Sequence, residues 1–130
     1  MIKNRTALIL PILASAVALV SLTACSQKEQ VVSFSQDVKP VLDANCLDCH
    51  QPGAEGFEAS GLDMTSHATV MAGTRFGPMV IAGDSMGSNL VVLMEGGADP
   101  SINMPHSGSK VPQAQIDIIK AWIDQGAQNN

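Results

Sequence analysis

Five residues, Cys46-Leu47-Asp48-Cys49-His50, constrain this chain more than any others. A Cys-x-x-Cys-His run brings two thiols and an imidazole together within one short stretch. Two cysteines at that spacing reach the two vinyl-derived carbons of one porphyrin edge from a single turn, and the next residue sets an imidazole over the iron. Two other chemistries use paired cysteines. A zinc site needs further ligands, and only His67 and His106 are on offer. A redox dithiol of the thioredoxin kind expects a βαβ setting, which the sequence lacks. The motif therefore reads as the attachment site of one covalent haem c with its iron. Cys46 and Cys49 are the thioether anchors, and His50 is an iron ligand.

The first 24 residues belong to export. Lys3 and Arg5 make a basic start, Ala7 to Val20 is apolar apart from Pro11 and Ser15, and Leu22-Thr23-Ala24-Cys25 follows. The apolar run is about 14 residues, where a membrane-spanning helix needs roughly 20. Leu-Thr-Ala-Cys resembles the bacterial lipoprotein cleavage box, which implies that Cys25 becomes the first mature residue and is acylated. The chain then divides into a signal peptide (1–24), a lipidated N-terminus and linker (25–33) and one domain (34–127). Several acyl chains hold a protein on a bilayer stably, where one holds it only reversibly. Ser26 is not the Asp that usually retains such proteins at the inner membrane. This slightly favours the outer membrane, with the domain on the periplasmic side. Ser26 to Val32 spans at most about 25 Å, so the domain stays near the surface.

Formal charge is −5 for the whole chain and −7 once Lys3 and Arg5 leave with the signal. Such a domain is not built for nucleic acid, which calls for a basic surface. An acidic surface steers towards basic partners. The three cysteines are all assigned, Cys25 to lipid and the other two to haem, so no structural disulfide is expected.

The mature chain reads as an all-α fold of helices joined by Gly-rich loops. A helix is expected over Gln36–Asn45, with Phe34, Val38, Val41 and Leu42 on one face and Ser35 or Asp37 as cap. Others are expected over Ser66–Ala72 and Ser88–Glu95, stopped by Gly73 and by Gly96-Gly97. The last runs from Pro112 to Gln125, with Ile116, Ile119, Trp122 and Ile123 buried and a poor cap at Val111. Gln51–Gly61 and Gly96–Lys110 read as long loops, of the kind that wrap around something.

The sixth iron position has several candidates. Met104 lies in a loop, is followed by Pro105, and can offer its thioether to iron. Met64 ranks second, and Met79 and Met86 follow. Met71 and Met94 fall in helical patterns and read as core filling. His106 and His67 are the rival imidazoles, with His67 otherwise a surface residue. Arg75 sits in the turn Gly73-Thr74-Arg75-Phe76-Gly77-Pro78 and can pair with a haem propionate. Phe76, Gly77 and Pro78 would then wall the haem.

The order of these features resembles a class I cytochrome c. More narrowly it resembles the planctomycete-type cytochrome c domains, over about residues 34 to 127. The matching residues are Asp37-Val38-Lys39-Pro40-Val41-Leu42, Gly61-Leu62-Asp63-Met64, Gly77-Pro78, Gly83-Asp84, Met104-Pro105 and Trp122-Ile123-Asp124-Gln125-Gly126-Ala127. The resemblance implies a small cytochrome c-like bundle of three to four helices wrapped around one haem c, its first and last helices crossing through Phe34 or Val38 against Trp122. Position 106 departs from it, being His where the family usually has a second Pro after Met-Pro.

No acid–base pair or activated nucleophile stands out. The expectation is therefore not an enzyme but a membrane-tethered, mono-haem electron carrier, with a redox donor and acceptor that present basic docking surfaces. The alternatives are the haem c subunit of a redox enzyme, or a peroxidase or gas sensor with a labile sixth ligand. Replacing the acylation site, Cys25→Ser, is expected to move the protein from the membrane to the soluble fraction; continued sedimentation with membranes would contradict the lipid anchor.

Overall fold

The computed structural model describes residues 30–106 and 109–130; the predicted signal peptide and Cys25 lie outside them. The first helical segment starts two residues earlier than the sequence predicts, at Phe34 rather than Gln36. Ser33 is its cap, accepting from the Gln36 amide at 3.2 Å, while the Asp37 carboxylate accepts from the Ser33 amide at 2.8 Å. Phe34–Val38 is a π-helical turn in which the Lys39 amide donates to the Phe34 carbonyl. It leads straight into α1, Lys39–Asn45. Pro40 explains the wide turn. It has no N–H to give, and its ring crowds the carbonyl four residues back.

Four more helices follow: α2 (Glu55–Ser60), α3 (His67–Ala72), α4 (Asn89–Glu95) and α5 (Gln113–Asp124). There is no strand among the described residues, only an isolated bridge between Thr74 and Gly77. The all-α class holds. Among the described residues there are five α-helices rather than three to four, because α2 occupies the segment expected to be a loop.

Local chemistry accounts for most of the boundaries. Ser66 caps α3 in a reciprocal box with Thr69, and Gly73 ends it. Gly96 ends α4 in the left-handed conformation. Ser88 precedes α4 but does not cap it. Its buried hydroxyl accepts from the Ile81 amide at 2.8 Å and donates to the Asp84 carbonyl at 2.7 Å, which fixes the middle loop. Helix α5 begins after Pro112, and Val111 is a buried wall residue rather than a weak cap. After α5, Gly126 turns the chain so that the Ala127 amide reaches the Trp122 carbonyl at 2.8 Å.

The core joins the two ends of the domain. Phe34, Val38, Val41 and Leu42 meet Ile116, Ile119, Trp122 and Ile123 in one apolar cluster. Trp122 is 1 % exposed, and its indole N–H donates to the Gln128 carbonyl at 2.9 Å. The Phe34 and Trp122 rings lie 5.5 Å apart, as expected for crossed first and last helices. His67 completes this cluster instead of lying free on the surface. Its ring is 5.0 Å from Phe34 and 5.8 Å from Trp122, and its Nε2–H donates to the Ala127 carbonyl at 2.8 Å. The strands of chain on either side are clasped as well: Asn130 accepts from the Phe34 amide through Oδ1 and from the Ser35 amide through its carbonyl.

Removing the largest buried side chain should expose how much this crossing contributes. Trp122→Ala is expected to lower stability by about 3–5 kcal/mol, read from the denaturant midpoint of the purified protein; a loss under about 1 kcal/mol would contradict the central role of the crossing.

Candidate haem site

The motif follows directly from the end of α1. The Cys46 and Leu47 amides both donate to the Leu42 carbonyl, and the Cys49 and His50 amides both donate to the Cys46 carbonyl. These tight turns put Cys46, Cys49 and His50 on the wall of one cavity of about 1050 Å³. The rest of that wall is mostly apolar and includes Leu62, Leu90, Leu93 and Val111. The volume sits at the upper end of the range for cofactor sites, roughly 300–1,000 Å³.

The chain downstream of the motif folds back to hold it. The Phe57 amide of α2 donates to the Cys49 carbonyl at 3.0 Å, and the Met64 amide donates to the His50 carbonyl at 2.8 Å. His50 is 7 % exposed, and its Nδ1 is buried without a hydrogen-bond partner. The residue itself stands in the wall of the cavity. Burial pushes the His50 imidazole below its ordinary range; the Leu62 carbonyl offsets this in part, and the charge of His106 adds to it. A neutral imidazole is the form that ligates metal. Cys46 differs from a redox thiol. Burial, helped by Cys49, pushes it up to about 11, whereas reactive dithiols run below the free value.

Of the methionines, Met64, Met79, Met94 and Met104 line the cavity. Met86 is 71 % exposed and lies outside the lining, as does Met71. Met94, expected as core filling, serves both core and wall. Met104 lies on an irregular segment that is pinned at two neighbouring residues. Its amide donates to the Leu93 carbonyl at 3.1 Å, and the neighbouring Asn103 side chain bonds both backbone groups of Ala98 at 3.1 Å. His106 lines the same cavity, while His67 does not. Gly77 and Pro78 are in the wall, beside Phe76. Arg75 is not. Its guanidinium donates to the Glu58 carbonyl at 2.9 Å and its amide to the Ser60 carbonyl, so it straps the turn to α2.

Asn103 and Gly56 are site residues that periodicity does not reveal. Asn103 has a signal of its own, since a primary amide beside Met-Pro mimics a peptide group and can close a loop. The signal for Gly56 is a glycine inside an otherwise helix-forming run.

The donors fit a haem: two thiols on adjacent turns and a buried imidazole in the wall of one mostly apolar cavity, with thioethers in the same wall. Fold and site together define a small all-α domain of the cytochrome c type. Residues 46–108 match the family model described as Planctomycete cytochrome C, and this stretch is a planctomycete-type cytochrome c domain. A domain of that family implies haem c with its iron. No curated protein and no solved structure matches the chain.

Proposed function

We propose that this protein is a mono-haem c-type cytochrome that carries single electrons and is held to the periplasmic side of a bacterial membrane, the outer one favoured, by a lipid on Cys25. The observation that carries the reading is the position of His50. It is buried in the cavity wall, that burial holds its imidazole below the ordinary range, and both motif cysteines stand in the same wall. When bound, haem c supplies one-electron chemistry through its iron. Cys46 and Cys49 would hold the group, and His50 and Met104 would offer an imidazole and a thioether to its iron. The apolar wall excludes water, and a fixed ligand pair keeps reorganisation small between oxidation states. Gly77 and Pro78 belong to that wall. Arg75 can serve a propionate only by leaving the Glu58 carbonyl.

Two features bear on partners. The charged side chains in the cavity wall are Asp48 and Glu55, with no Lys or Arg among the described lining residues. Phe76, 81 % exposed, and Ile102, 52 % exposed, add apolar surface at the same wall. An acidic and apolar rim suits a redox donor and acceptor with basic docking faces.

A second reading keeps the haem but frees its sixth position, as in a peroxidase, a gas sensor or the haem subunit of a redox enzyme. It is favoured by His106, which lines the same cavity two residues beyond Met104. Met104→Ala and carbon monoxide separate the two. The wild-type ferrous protein is expected not to bind carbon monoxide. The variant is expected to bind it, to lose the sulfur-to-ferric-iron charge-transfer band and to fall in potential. Rapid, complete binding by the wild type would contradict the carrier, and an unchanged variant spectrum would show that another side chain is the ligand.

A further inference from the structure

Helix α2 opens Glu55-Gly56, and glycine inside a helix costs about 1 kcal/mol relative to alanine. Gly56 is not among the residues with positive φ, so its backbone conformation suits any residue. The space around it does not. A Cβ at Gly56 would lie 2.8 Å from the Cys49 carbonyl oxygen, 2.9 Å from Cε1 of His50 and 3.1 Å from Nδ1 of His50. Carbon atoms in contact ordinarily sit about 3.5–4.0 Å apart. Gly53 and Gly61 differ: each has positive φ, and each leaves more room for a Cβ, with nothing closer than 3.5 Å.

The contacts around His50 make this close approach matter. Its backbone is fixed by hydrogen bonds; of its ring, Nδ1 has no hydrogen-bond partner, and the Leu62 carbonyl is the backbone group that bears on the imidazole. The Cε1–Nδ1 edge lies instead on the bare α-carbon of Gly56. That α-carbon cannot withdraw, because the next residue, Phe57, donates its amide to Cys49.

We infer that Gly56 is a positioning residue for His50: its missing side chain lets the first turn of α2 press on the imidazole edge and set the plane in which Nε2 is presented to the iron. The inference rests on the cytochrome reading. A methyl group at position 56 must either rotate the ring or lift α2 off Cys49, and both change the ligand's orientation while leaving all haem-binding residues present.

The test compares holo-protein carrying Gly56→Ala with a control, Glu58→Gly, which weakens α2 on its exposed face. The readouts are the ferric electron paramagnetic resonance g values and the haem-methyl proton shifts, which follow the imidazole plane. Gly56→Ala is expected to shift both. Glu58→Gly is expected to lower the denaturant midpoint and leave both at wild-type positions. Unshifted spectra in Gly56→Ala would overturn the inference, as would equal shifts in the two variants. If Gly56→Ala does not accumulate with haem, the diamagnetic ferrous wild type decides. A nuclear Overhauser contact between the Gly56 α-protons and the His50 Cε1 proton is expected, and its absence would overturn the inference. A pyridine haemochrome assay of the wild type keeps the two readings apart. Protein without haem defeats the cytochrome reading and the inference with it, whereas haem-loaded protein with unmoved spectra defeats the inference alone.

Discussion

His50 is held almost entirely by its own neighbourhood in sequence. Its carbonyl takes the Met64 amide, the Cys49 carbonyl takes the Phe57 amide, and its ring lies against Gly56. Residues 46 to 64 thus form one closed unit around the motif. The unit places a buried imidazole and two thiols on a mostly apolar wall, and the rest of the domain completes the cavity. Helix α4 supplies Leu90, Leu93 and Met94, and the segment after it supplies Met104. The Phe34–Trp122 crossing locks the first and last helices at a distance from this wall, since neither ring is among its lining residues.

This division of labour explains which parts were legible. The motif was legible because its two cysteines and histidine lie in one contiguous run at a fixed spacing. Helices α3, α4 and α5 were legible because caps, glycine stops and apolar stripes are local signals. Helix α2 was not. Gly53, Gly56 and Gly61 make the segment look like a loop, and it is helical because tertiary bonds from Phe57 to Cys49 and from Arg75 to Glu58 hold it. The same strap keeps Arg75 out of the cavity wall. Composition gives no hint of it, because the acceptor is a backbone carbonyl.

Two smaller differences have equally specific causes. The first helical segment begins at Phe34, capped by Ser33, because Pro40 opens the turn before it, which moves the cap upstream of Ser35 and Asp37. His67 belongs to the aromatic cluster because its ring can stack edge-on against Phe34 and Trp122 and still donate to Ala127. An imidazole satisfied in this way is not available to iron. Among the described residues, His106 is therefore the one imidazole besides His50 that reaches the cavity, and it stands at the position where the chain departs from the Met-Pro-Pro pattern it otherwise resembles.

The proposed function depends on one covalent haem at Cys46 and Cys49. The most direct measurement is the intact mass of the purified protein, made in a host that matures c-type cytochromes and treated with acidified organic solvent to strip any haem held non-covalently. The account predicts the polypeptide mass plus one haem, with Cys46 and Cys49 closed to alkylation. A polypeptide mass without haem, and both thiols open to alkylation, would contradict it.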